Sequence, residues 1–100
     1  MSSRFAGWAL DQKTGSPGSK LMLFTLGDNS FGDGSNGVVA EIAHLADRCE
    51  VTEAEAERLL LYLERKRFIV PIDQPRWAAA EKVEGQFFAF NVNRSNGNGR

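Results

Sequence analysis

The sequence predicts an α+β domain, three helices followed by a small antiparallel β-hairpin. Three observations carry that prediction. Apolar residues recur at helical spacing over Val38–Cys49, a helix-start signal stands at Thr52, and two β-branched and aromatic runs, Phe68–Ile72 and Gln86–Val92, follow the helices. With 100 residues, 42% hydrophobic and 25% charged, the chain has the material for one small core.

Residues 1–15 place Phe5, Trp8, Ala9 and Leu10 among Ser and Gly residues, which reads as a short apolar arm docked on the body. Ser16 before Pro17 is an N-cap followed by a first-turn proline, so the first helix is expected there, running through Lys20–Asn29 with Leu21, Met22, Leu23, Phe24 and Leu26. The segment Gly32-Asp33-Gly34-Ser35-Asn36-Gly37 breaks regular structure, because glycine has so much backbone freedom to lose on folding.

The second helix is expected over Val38–Cys49, where Val38, Ile42, Leu45, Ala46 and Cys49 form one stripe and His44 falls off it. Thr52 with Glu55 three residues later is a capping-box pattern. It opens a third helix, Glu53 to about Arg67, whose buried face is Ala56, Leu59, Leu60 and Leu63. In the strand Phe68–Ile72, Pro71 marks an edge position because it cannot donate to a ladder. Asp73–Gly85 then reads as a long loop carrying Arg76, Trp77 and Lys82 before the second strand. The boundaries that follow are an arm at 1–15, a folded domain at 16–93 and an Asn- and Gly-rich tail at 94–100 expected to lack order.

Composition narrows the chemistry. A formal net charge of −1 gives no broad positive field for collecting phosphates. The lone Cys49 excludes an internal disulfide; with no secretory leader and no apolar run near membrane-spanning length, a cytoplasmic protein without membrane attachment is expected. No enzyme is expected either. His44 and Asp47 share a helix face without a nucleophile, Cys49 and His44 are too few to hold zinc, and Gly18-Ser19-Lys20 lacks the strand and glycine spacing of a phosphate loop. Accordingly no cofactor and no metal are expected, and Phe87, Phe88 and Phe90 are read as core rather than as base-stacking rings.

Trp8-Ala9-Leu10, Ser19-Lys20-Leu21-Met22-Leu23, Gly32-Asp33-Gly34, Ile42-Ala43-His44-Leu45-Ala46, the Thr52 cap, Leu60, Tyr62-Leu63-Glu64 and Phe68-Ile69 together give the chain a likeness. Over roughly residues 8 to 72 it resembles the winged helix-turn-helix domains of phage and plasmid replication proteins and related regulators. That resemblance implies that Glu53, Ala54, Glu57, Arg58 and Leu61 face outward from the third helix, where such domains meet a DNA groove, and that the hairpin is a wing beside the nucleic-acid backbone.

The charge departs from that pattern. Between Glu41 and Glu57 stand Glu41, Asp47, Glu50, Glu53, Glu55 and Glu57 against the one base Arg48. A carboxylate brought against a phosphate costs on the order of 1 to 4 kcal/mol at contact distance. Glu53 and Glu55 also complement the helix dipole, but Glu57 lies four residues from Glu53 and repels it. Leu61, exposed beside these acids, is either a protein-binding anchor or a solitary surface leucine.

The expected function is therefore binding of a positively charged surface of a host protein or nucleoprotein complex through Glu53, Ala54, Glu57, Arg58 and Leu61. Such a module, of phage or mobile-element type, would block the DNA site of a host nucleic-acid-binding complex, as some anti-CRISPR inhibitors do. The competing expectation is a sequence-specific regulator of transcription or replication gripping double-stranded DNA through Arg58, Arg65, Lys66, Arg67, Arg76, Trp77 and Lys82. In the bland reading of those residues, Arg65-Lys66-Arg67 only complements the negative end of the third helix, and Trp77 folds back over the core. A third expectation is a homodimer joined through the Phe5–Leu10 arm.

Overall fold

A computed structural model describes residues 3–93 as a small α+β domain of five helices and one three-stranded antiparallel sheet. The expected tail, 94–100, lies outside the described residues. Chain order is α1 (Ser3–Asp11), α2 (Pro17–Asp28), β1 (Val38–Ala40), α3 (Ile42–Cys49), α4 (Glu53–Arg65), β2 (Ile69–Pro71), α5 (Arg76–Ala80) and β3 (Gln86–Phe90). Two helices and one strand are thus added to the expected three helices and hairpin.

The apolar arm is helical. Ser3–Asp11 is a helix whose Phe5 and Ala9 are fully buried in the main core. Phe5 stacks on Phe90 with ring centroids 4.9 Å apart, and Trp8 meets the same ring edge-on at 5.8 Å. The approach of α1 to α2 depends on Gly27, where a Cβ would lie 2.7 Å from the Phe5 carbonyl. Only Leu10 of the arm's large apolar residues is left well exposed.

Helix α2 starts as its sequence reads, with Ser16 Oγ accepting from the Ser19 amide at 3.1 Å behind Pro17. A correction to the expected second helix follows it. Val38–Ala40 is a strand and α3 begins only at Ile42, with Glu41 at its N-cap. Val38 fits the helical stripe by spacing, yet Val38 and Val39 are β-branched and lie opposite Phe88 and Phe87 of β3, a pairing no local period reveals.

The sheet order is β1-β3-β2, with β3 central. Its alternation divides the domain. Phe88 and Phe90, with Val38 and Ile69, enter the main core under α1–α4, while Phe87 packs on the other face with Phe31, Ala78, Val39 and Val83. The element that covers this second face is α5, a five-residue helix inside the segment expected to be a loop.

Strand β2 is an edge, as Pro71 implies. Asn91 donates to the Phe68 carbonyl at 3.0 Å and Ile72 to that of Phe87 at 2.9 Å, so residues 68 and 72 turn toward β3 and residue 71 turns outward. Pro71 therefore removes no ladder bond and blunts the open edge. On the other side Asn36 extends the ladder with its side chain, donating to the Phe90 carbonyl at 2.8 Å and accepting from the Phe90 amide at 2.7 Å.

Candidate interaction face on α4

Helix α4 is fixed from both ends. Thr52 Oγ1 accepts from the Glu55 amide at 3.0 Å, the first half of the expected capping box. The second half is replaced: both Glu55 carboxylate oxygens take Arg58, one through Nε at 3.0 Å and the other through Nη2. At the far end the Arg67 amide donates to Glu64 and the Phe68 amide to Leu63, closing the helix with Arg67 at φ 67°. The helix stops at Arg65 and does not reach Arg67.

At about 3.6 residues per turn, burying Ala56, Leu59, Leu60 and Leu63 leaves Ala54, Arg58, Leu61 and Arg65 as the outer crest. Leu61 is 45% exposed, an apolar residue between two arginines. One flank carries Glu53, Glu57 and Glu64 at i, i+4 and i+11. The opposite flank carries Glu55, Tyr62 and Lys66 and packs toward the α1–α2 connection, where Tyr62 donates its hydroxyl to the Thr14 carbonyl. Gly15 permits that contact, since a Cβ there would fall 2.7 Å from the Tyr62 oxygen.

The acids do not act as one cluster. Arg48 pairs with Asp28 of α2 at 3.5 Å, and Arg58 neutralises Glu55. The pairing raises the Arg58 guanidinium above its ordinary range, chiefly through the hydrogen bond to Glu55. Glu53 and Glu57 are exposed and have no cationic partner among the described residues.

Their flank continues past the helix. Glu64 lines a groove between the end of α4 and the β2–β3 segment, whose other charged lining residues are Asp73 and Glu84. No basic residue lines it. Sequence reasoning missed these three acids, because Asp73 and Glu84 meet Glu64 only once β2 and β3 pair.

The competing basic set is divided by the fold. Arg58, Arg65 and Lys66 surround one depression with Leu61 and Tyr62, and Lys66 Nζ sits 5.9 Å from the centre of the Tyr62 ring. Arg67 lies beside it, with Glu64, Arg65 and Pro71. Arg76, Trp77 and Lys82 belong to α5 and its end, on the other side of the sheet, and Trp77 stands edge-to-face on Phe31 at 5.1 Å. Of the two expectations for Trp77, folding back on an apolar cluster describes its position, although the ring stays 38% exposed.

His44 is exposed, 3.4 Å from the Asn29 amide nitrogen, and Cys49 is buried with its thiol directed at Thr25. Among the described residues no group of three His, Cys, Asp or Glu side chains converges as a metal site, and no helix is long and apolar enough to cross a membrane. No family model, curated protein or solved structure matches the chain.

Proposed function

We propose that this is a winged-helix domain in which α3 and α4 form the helix-turn-helix, β2 and β3 the wing, and the acidic flank of α4 binds a positively charged protein surface. The succession helix, strand, helix, helix, strand, strand from α2 to β3, with the first strand paired to the last, supports the architecture; α5 is then an insertion in the wing. The observation that carries the binding reading is that Glu53 and Glu57 remain unpaired and exposed on the same helix flank as Glu64, which lines a groove with Asp73 and Glu84. In this reading the protein is a non-enzymatic inhibitor of phage or mobile-element type, acting in the cytoplasm by occupying the DNA channel of a host complex.

The test has two arms. Glu53→Lys with Glu57→Lys should abolish capture of the host partner while the circular dichroism spectrum stays native; unchanged capture would remove the acidic flank as the site. In parallel, affinity for random duplex is followed across a salt series. An acidic inhibitor shows almost none at any ionic strength, whereas phosphate contact produces binding that falls steeply as salt rises.

One observation favours the second reading, regulation through double-stranded DNA: Arg58, Arg65 and Lys66 line one depression beside the crest. There Arg65→Ala with Lys66→Ala should weaken duplex affinity.

A further inference from the structure

On the face of the sheet opposite α4, two aromatic rings meet at a right angle and are fringed by carboxylates. Phe31 is held firmly. Its amide donates to the Gly37 carbonyl at 2.9 Å, and its ring lies where a Cβ on Gly37 would approach to 2.3 Å, so only glycine admits it. Phe87 lies behind it with ring centroids 6.3 Å apart. Trp77 stands against Phe31 at 89°, anchored through the fully buried Ala78 that follows it. Gly32, Asp33 and Glu81 complete an open depression of about 350 Å³, with no basic residue in its lining.

This corner selects by charge. The face of an indole ring is negative and attracts cations, and two carboxylates at its rim add to that potential while opposing phosphates. Asp33 is pre-organised, because Oδ1 accepts from the Ser35 amide at 2.9 Å and from the Ser35 hydroxyl at 2.6 Å. Those bonds hold the carboxyl below its ordinary range, so it stays ionised. A planar guanidinium suits the site better than an ammonium: it lies flat on an indole while its fork of N–H donors reaches carboxylates at the edge.

We propose that Trp77, Phe31, Asp33 and Glu81 form a binding site for an arginine side chain of a partner protein. The guanidinium lies on Trp77 and donates to Asp33 and Glu81, and the aliphatic stem crosses the aromatic corner. Neither the winged-helix assignment nor the α4 flank enters into this site.

The chain has two tryptophans, so the experiment contains its own control. N-acetyl-arginine amide is titrated into the full chain at constant ionic strength, and the two indole N–H resonances are followed. Trp77 should shift and saturate while Trp8, packed on Phe90, stays fixed. The citrulline analogue, equal in shape and uncharged, should leave both unmoved at the same concentration.

Asp33→Asn and Glu81→Gln should each weaken binding about fivefold, and Trp77→Leu, which keeps an apolar cover on Phe31 and is followed on the Gly32 and Asp33 backbone amide resonances because its indole signal is gone, should abolish it. An equal Trp77 shift with the citrulline compound, or unaltered affinity in the Asp33→Asn, Glu81→Gln double variant, would overturn the assignment.

Discussion

Glu50 ends α3 with φ 58° and ψ 44°, the left-handed conformation that helices normally close with glycine. Its amide and that of Val51 donate back to Asp47 and Ala46, so the bend between α3 and α4 is fixed by these bonds. A side chain in that conformation costs roughly 1–2 kcal/mol. Replacing it with glycine removes the strain but returns about 0.5–1 kcal/mol of freedom to the unfolded chain. The carboxylate is also at the negative end of α3, where an acid is disfavoured by about 0.3–1 kcal/mol at most.

Glu50→Gly should therefore stabilise the domain by about 1 kcal/mol, or roughly 4–8 °C in Tm for a chain of this size. Glu50→Ala separates the contributions, since it removes the charge and keeps the strain. Thermal and urea unfolding followed by circular dichroism should rank glycine above alanine. A glycine variant no more stable than the alanine one would refute the reasoning, because the left-handed backbone would then cost no more than the freedom glycine returns to the unfolded chain. Arg67 and Lys82 hold the same conformation after α4 and α5, but their positive charges complement the helix ends. Their glycine variants should gain less.

The remaining expectations concern the parts that sequence patterning assigned least well. Phe5→Ala should cost about 3–5 kcal/mol in urea unfolding, since the ring is fully buried against Phe90; a surface arm would lose almost nothing. Asn36→Ala leaves the Phe90 amide without its partner and the Phe90 carbonyl with the Val92 amide alone, and should cost about 1–3 kcal/mol, with faster exchange of the Phe90 amide as the local readout. Asp33 has a lowered folded pKa, so what its Ser35 bonds contribute is complete above the ordinary carboxylate value and is lost as pH falls through the lowered one. The Ser35 amide resonance should titrate below the range of a free aspartate.

How much the sequence discloses depends on whether the signal is local. Ser16-Pro17, Thr52 with Glu55, and Pro71 announce a cap, a helix start and an edge, and each works through atoms within a few residues. Val38–Ala40 and Ser3–Asp11 are different, because their states are decided by Phe88 and Phe90 far along the chain and by the missing side chain of Gly27. Helix ends were obscured for a separate reason. Glutamate, arginine and lysine occupy the left-handed positions after α3, α4 and α5, so the glycine that marks such a stop is absent; the Thr52 start still bounds α3 at Cys49, but the run into Arg67 reads as continuous helix. The same absence concealed α5, whose Ala78-Ala79-Ala80 is helical in propensity yet follows a proline in a polar stretch.

On α4 the pattern placed Glu53, Ala54, Glu57, Arg58 and Leu61 outward, and all five are exposed. It could not distribute the charge among them. Glu55 is accounted for by Arg58, and Glu53 by the positive end of its own helix, so neither alone requires a partner. Glu57 has neither explanation. It lies beyond the reach of the dipole, one helical turn from a like charge, and Glu64 extends the same flank toward Asp73 and Glu84. A duplex laid against this flank would bring phosphates toward four carboxylates, Glu53, Glu57, Glu64 and the nearer of the groove pair, each costing on the order of 1 kcal/mol in water. In return there are Arg65 on the crest and Lys66 on the far flank against the Tyr62 ring, with Arg58 paired to Glu55. At roughly 0.9 counterions released per phosphate contact, two such cations supply little of the salt-driven attraction that duplex readers depend on. The proposed cationic partner rests on this balance, and Glu57 is the residue on which it turns.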